Sequence, residues 1–282
     1  EFRNRKAIFF LDKNEWLYFE KYVSNADILM ICLMGGKDSC PDFDKLIQIL
    51  PKSSKIFIQP CCTSELEIAG KYSNLKKEIW KTISEYLNYG GVDNFYNMIL
   101  FLSNTFANSN YKFTKPKHLP WEGIYHPEFE GTLTLEEYLQ KKYDPGRPTI
   151  GIWFHRNHWV NNNIDYIDKT IKEIERQGAN AIAVFRNSRK DVDIGSLSAK
   201  ETVEKFFVKD KKVIIHALIN MMSFSAVMMD EKNKDVFNML DVPVIKAIVS
   251  FNKKEEWENS FQGLNPVDIA ISIAMPEFDG NL

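Results

Sequence analysis

Arg147-Pro-Thr-Ile-Gly-Ile-Trp-Phe-His-Arg-Asn-His-Trp159 joins an apolar run, Ile150 to Phe154, directly to a polar cluster that continues through Asn161, Asn162 and Asn163. A short apolar run with proline before it and polar residues after it reads as a buried strand. Beyond the cluster, Ile164, Ile167, Ile171 and Ile174 recur at helical spacing, Gly178 marks a helix end, and Ala181 to Phe185 is again short and apolar. Strand, amphipathic helix, strand is the unit of a parallel sheet, because a parallel crossover needs the length that a helix supplies. Val213 to Leu218 and Val244 to Val249 are expected to add strands to it.

Toward the N-terminus the same alternation occurs. Ala7 to Leu11, Asp27 to Met34 and Lys55 to Gln59 read as strands, with Trp16, Phe19, Tyr22 and Val23, then Leu46, Ile47 and Leu50, at helical spacing between them. Leu75, Ile79, Ile83, Tyr86 and Leu87 form one face of a longer helix that Gly90-Gly91 ends, and Phe95, Met98, Ile99, Leu102 and Phe106 form the face of another. From Asn108 to Pro148, five prolines interrupt the pattern and leave room for one short helix between Leu133 and Tyr143. The expected fold class is therefore α/β: two Rossmann- or flavodoxin-like domains with parallel sheets, 1–115 and 148–282, joined by a Pro-rich linker, 116–147. The two halves show no residue-level repeat.

Composition narrows the function classes. Hydrophobic residues at 44% and charged residues at 26% fit a globular chain, and 282 residues suffice for two cores. A net charge of -2, without a basic stripe, argues against nucleic acid as a partner. Ala26 to Met34 and Val213 to Met222 are far shorter than the roughly 20 residues of a membrane span. Glu1 to Lys6 lack the order of a signal peptide, so a cytoplasmic location is expected. Cys32, Cys40, Cys61 and Cys62 have neither CxxC spacing nor disulfide density, and reduced thiols are expected.

No P-loop pattern occurs, so no nucleotide site is expected in this chain. Gly35-Gly36-Lys37-Asp38 follows an expected strand and offers either an anion-binding turn or a tight turn with a solvated lysine. His155, Arg156, Asn157 and His158 stand at a strand end, where open α/β sheets build sites. If the extended conformation persisted, His155 and Asn157 would point away from Arg156 and His158. An arginine offers a bidentate clamp for carboxylates, and a histidine can move a proton or hold a metal. The asparagines after Trp159 are expected to cap the next helix. Pro276-Glu277-Phe278-Asp279-Gly280 follows the apolar run Ile269 to Met275, read as a strand; its two carboxylates either serve a site or merely end that strand in a turn. On a parallel sheet both motifs would share one rim, which would bring Glu277 or Asp279 within ion-pair range of Arg156 or His158. His118, His126 and His216 are isolated and give no zinc spacing.

Taken together, Arg147 to Trp159, Gly123-Ile-Tyr-His-Pro127 with Glu136-Glu-Tyr-Leu139, Gly90-Gly-Val-Asp-Asn94, Asp241-Val-Pro-Val244, Gly263-Leu-Asn-Pro-Val-Asp268 and Met275 to Gly280 resemble, in the same order, the large subunits of metal chelatases of the CobN type. The resemblance runs over nearly the whole chain. Magnesium chelatase's large subunit shares the Arg-x-His and Pro-Glu-x-Asp-Gly elements, and Trp159 after His158 leans toward the cobalt branch. Asn162-Asn163 and Met221-Met222-Ser223 depart from the family pattern. The resemblance implies an N-terminal fragment of a much longer subunit that binds a tetrapyrrole and receives cobalt, or alternatively magnesium, as substrate. It also implies that separate AAA+ subunits hydrolyse ATP. Metal insertion must remove two ring N–H protons and desolvate the ion. Most of that machinery is expected outside this stretch, so no catalytic residue or metal ligand is assigned here; Arg156, His158, Glu277 and Asp279 are the expected substrate-binding or site-supporting residues. The rival expectations are a non-catalytic small-molecule binding module and a docking scaffold, both built from the same two domains.

Overall fold

The computed structural model describes residues 13–33, 36–40, 42–60, 66–192, 194–229, 234–250 and 252–280. The chain separates into two compact units, Glu1–Tyr89 with Asn94–Lys117, and Gly90–Asp93 with His118–Leu282.

In the first unit, α1 (Lys13–Val23) leads to β1 (Ile28–Cys32), α2 (Phe43–Ile49) and β2 (Lys55–Gln59). The two strands pair in parallel from Ile28 opposite Lys55 to Cys32 opposite Gln59. α3 (Leu66–Tyr72), α4 (Lys77–Tyr89) and α5 (Val92–Phe106) follow. The apolar faces of α4 and α5 meet β2 in a core of Phe57, Ile83, Tyr86, Met98 and Leu102, as the helical spacing of Ile83 with Tyr86 and of Met98 with Leu102 requires. The expected strand Ala7 to Leu11 lies outside the described residues. Gly36 takes φ +80 before a short 3-10 turn, and Lys37 pairs with Asp44 at 2.9 Å, which favours the tight-turn reading of this segment.

The second unit contains the larger sheet. Its strands are β3 (Gly123–Tyr125), then, after α6 (Leu135–Lys141), β4 (Thr149–His155), and, after α7 (Arg156–Val160) and α8 (Asp165–Arg176), β5 (Asn180–Arg186). α9 (Ala199–Phe206) and a small hairpin of β6 (Val208–Lys209) and β7 (Lys212–Val213) precede β8 (Ala217–Asn220). α10 (Ala226–Met229) leads to β9 (Val244–Lys246). The spatial order is β3-β5-β4-β8-β9, with β3 antiparallel and the rest parallel. In chain order the four parallel strands run 2-1-3-4, the flavodoxin-like arrangement, whose connections reverse direction between β4 and β8.

β5 is buried along its whole length, because helices cover both faces of the sheet. Ile152, Phe154, Ile167, Ile171 and Phe185 pack on one face, and Trp153, Val184, Val203, Phe207 and Leu218 pack on the other. Each such side chain contributes on the order of 1.5 to 3 kcal/mol of burial. α8 ends as its sequence predicts: Gly178 adopts φ +84 and donates to Glu175 O, while Ala179 N donates to Ile174 O, a left-handed glycine closure of the last turn.

Several expectations are corrected. The stretch read as a linker, 116–147, carries β3 and α6 and sends Ile124, Leu133, Leu135 and Tyr138 into the second core. Prolines flank these elements without interrupting them, and an edge strand of three residues is too short to show a period. The strand expected at Val213 to Leu218 is displaced: β7 ends at Val213 and β8 begins at Ala217. The apolar run Ile269 to Met275 is helical. α11 (Lys254–Glu258) and α12 (Pro266–Ile269) are followed by a π-helical segment over Ala270–Ala274 and by α13 (Met275–Glu277). Asn265 caps α12 by accepting from Asp268 N, Pro266 suits a first helical position, and a short apolar run alone cannot distinguish strand from buried helix. No helix among the described residues is long and apolar enough to cross a membrane.

Candidate functional site

The carboxyl ends of the parallel strands define one edge of the second sheet. His155 ends β4 opposite Arg186 at the end of β5, and Asn220 at the end of β8 lies opposite Trp153 of β4 and Lys246 of β9. Register alone therefore places two arginine-bearing termini and one lysine on a common rim, the side on which open α/β sheets bind ligands.

β4 does not continue past His155. Its ring accepts through Nδ1 from the N–H of Asn157 at 3.1 Å and so caps α7. The turn into helix cancels the alternation expected for residues 155–158. It buries Arg156, whose Nε donates to Pro120 O at 2.7 Å and whose Nη2 donates to Leu119 O at 3.2 Å. The guanidinium also lies 4.3 Å over the Trp121 ring. Arg156 therefore fastens the 119–121 segment to the rim. Burial holds its pKa down at about 10, opposed by the charge of Glu122. Burial, reinforced by His158, Arg186 and Arg156, pushes the His155 pKa down to about 4, so its ring is neutral near pH 7.

His158 packs edge-on against Tyr166 at 5.5 Å, and burial lowers its pKa as well. Trp159 stacks flat on Phe185 at 4.3 Å. The asparagines do not cap α8. Its N-cap is Ile164, while Asn161 Nδ2 donates to Asn157 O, Asn162 takes φ +54, and Asn163 N donates to His158 O. They close the turn between α7 and α8 instead, Asn being one of the few residues that tolerate the left-handed region.

Glu277 is exposed. Asp279 comes to the rim, but its partners differ from those expected: it accepts from Ser225 Oγ at 2.5 Å, from Ala226 N at 2.7 Å and from Val227 N at 3.1 Å, capping α10. The carboxylate whose field reaches Arg156 is Glu122, which accepts from Leu197 N at 2.8 Å and whose pKa burial raises. The pairing expected between Arg156 or His158 and the Pro-Glu-x-Asp-Gly carboxylates is thus replaced by two separate arrangements. The physical reason is that the second motif ends a helix, and its aspartate was free to serve a neighbouring helix start.

Sequence reasoning missed two residues. Arg186 is 2% exposed and lines a small cavity of about 10 Å³ together with Trp153, Asn220, Ser225 and Asp279. Lys246 donates to Met222 O, and burial lowers its pKa to about 8 against the opposing effect of Asp279. Each is a basic residue at the last position of a largely apolar strand, a pattern that a solvated strand end shares. Two guanidiniums and an amine facing two engaged carboxylates give this edge positive potential, suited to an anionic ligand.

The comparisons with known proteins bear on the whole chain. The CobN/Magnesium Chelatase family matches residues 84–282. The chain belongs to this family. An uncharacterized protein of Methanocaldococcus jannaschii is 36% identical over 95% of the chain and 22% of its own length. The aerobic cobaltochelatase subunit CobN of Pseudomonas aeruginosa is 25% identical over 94% of the chain and 20% of its own length. The structure of the catalytic subunit of cobaltochelatase from Mycobacterium tuberculosis superposes with a TM-score of 0.55 at 20% identity, covering 97% of this chain and 22% of that one, a likeness of fold. The chain thus spans about a fifth of the length of the curated relatives it matches. The α/β class expected from the sequence agrees with the fold of this CobN/Magnesium Chelatase family member.

Proposed function

We propose that this member of the CobN/Magnesium Chelatase family is the N-terminal part of a cytoplasmic, tetrapyrrole-binding chelatase subunit, and that the carboxyl edge of its second sheet forms one wall of the tetrapyrrole pocket. The observation that supports this reading is the convergence of Arg186, Lys246, Arg156 and the neutral His155 on one strand-end rim, with no sequence pattern for nucleotide binding. A tetrapyrrole carries carboxylate side chains around its ring, and a positive rim complements those carboxylates. In this reading cobalt, alternatively magnesium, is the second substrate, and AAA+ partner subunits supply ATP hydrolysis. Arg156 and His158 act as positioning residues: Arg156 through the carbonyls of 119 and 120, His158 through Tyr166 and the turn at Asn163. Asp279 supports the rim by holding residues 225–227, and Glu277 stays available to solvent or to a neighbouring part of the pocket.

The test is an absorption titration of a carboxylated free-base porphyrin with the purified chain and with Lys246→Glu, using Lys254→Glu on exposed α11 as the control. Saturable binding that weakens for Lys246→Glu alone is the expected result. Absence of porphyrin binding by the wild-type chain and by the longer subunit refutes the reading. The chain alone, given ATP and cobalt or magnesium, is expected to insert no metal.

A further inference from the structure

Arg186 ends β5 with its guanidinium almost wholly enclosed, and among the described residues neither Nε nor Nη2 finds an acceptor. Its plane rests near Trp153, with Cζ 5.1 Å from the ring centroid. Glu122 acts on it electrostatically but does not reach those two nitrogens. A buried arginine with idle donors is costly unless something supplies acceptors.

The surroundings narrow the chemistry of that acceptor. The cavity that Arg186 lines has room for about one water-sized group, which fits a carboxylate oxygen better than a tetrahedral phosphate. Asp279 also borders the cavity, yet its two oxygens are already committed to Ser225 Oγ and to the N–H groups of Ala226 and Val227. A cation there would stand against the buried guanidinium of Arg186. The cavity lies beside Asn220 and Trp153, at the β4/β8 reversal of the sheet, where ligands of this strand order enter.

We propose that Arg186 and its cavity form a carboxylate subsite. Resting on the tetrapyrrole reading above, the group it takes is one carboxylate side chain of the macrocycle. One carboxylate oxygen, the group for which the cavity has room, then accepts from Nε and Nη2 together, a paired donation from a planar fork that the single nitrogen of lysine does not reproduce.

The experiment has two arms. In the first, propionate and the uncharged, nearly isosteric propionamide are titrated into the chain at constant ionic strength. Tryptophan fluorescence is the readout, since Trp153 lies against the guanidinium. A saturable response to propionate, absent for propionamide and weakened at least about tenfold in Arg186→Gln, is expected, with Arg186→Lys intermediate. Equal responses to the two compounds in the wild type overturn the subsite, and this comparison stands even if Arg186→Gln does not fold. In the second arm, a free-acid porphyrin is compared with its methyl ester. Tighter binding of the acid by the wild type, with the difference reduced in Arg186→Lys and lost in Arg186→Gln, supports the macrocycle assignment. Equal binding of acid and ester removes that assignment while leaving tetrapyrrole binding intact. Propionate recognition without any porphyrin binding keeps the subsite and removes the tetrapyrrole reading.

Discussion

Replacing Asp279 by alanine removes three accepted hydrogen bonds at once, and the two carboxylates of the Pro-Glu-x-Asp-Gly motif should therefore behave in opposite ways. Asp279 Oδ1 and Oδ2 together receive Ser225 Oγ, Ala226 N and Val227 N, and Ser225 is fully buried. Loss of a helix N-cap costs roughly 0.5 to 2 kcal/mol, and stranding a buried hydroxyl adds on the order of 1 to 3 kcal/mol. Because Ser225 Oγ also accepts from Met228 N, the turn keeps part of its own support, and a total of about 3 kcal/mol is expected. For a unit of this size that lowers the melting midpoint by roughly 6 to 12 °C. Asp279→Asn retains the shape and one acceptor oxygen and should fall about halfway between. Glu277→Ala, at an exposed position, should stay within about 0.5 kcal/mol of wild type. Urea and thermal unfolding of the three variants check this, with amide exchange at residues 226–228 as a local readout. If Asp279→Ala proves as mild as Glu277→Ala, the capping role drawn from the geometry is wrong.

Other outcomes follow from the same rim. His155 has a folded pKa of about 4 against an ordinary value near 6.5, so between those limits the unfolded chain binds the extra proton. Its contribution is complete above about pH 6.5 and is lost as pH falls through 4; unfolding measured from pH 7 to 4 should show wild type losing up to about 3 kcal/mol relative to His155→Asn, which keeps a capping acceptor. Parallel pH curves for the two proteins would refute that protonation cost. Gly151→Ala places a Cβ at 3.0 Å from Ile215 Cδ1, 3.1 Å from Leu218 Cδ1 and 3.2 Å from Phe207 Cε1, and should destabilise by about 1 to 3 kcal/mol in urea unfolding. Arg156→Lys gives up the paired donors to Leu119 and Pro120 and the stacking on Trp121, so amide exchange across residues 119–121 should quicken, with a stability loss of about 1 to 3 kcal/mol.

How far the site was legible depended on whether its geometry was local. The placement of Arg156 and His158 at a strand end could be read from the letters, because Ile150 to Phe154 is apolar and the residues after it are not. Their contacts could not be read, since Arg156 bonds to residues 36 and 37 positions earlier in the chain. Glu277 and Asp279 were visible as a pair, but their element was misread: a short, mostly apolar run fits strand and buried helix equally, and the π-helical segment keeps no simple period. Arg186 went unnoticed because a single basic residue after an apolar run looks like any solvated strand end.

What the sequence by itself determined was the alternation of strand and helix in both halves, the helix stop at Gly178, and the family to which the chain belongs. These depend on neighbours within a few positions or on the order of short motifs along the chain. Tertiary structure alone decided the 2-1-3-4 strand order, the inclusion of residues 118–147 in the second unit, the capping of residues 225–227 by Asp279, and the enclosure of Arg186 beside Trp153 and Asn220. Each of these joins groups far apart in the chain. Their energies come from burial and from satisfying donors in a low-dielectric interior, and neither exists until the sheet has closed.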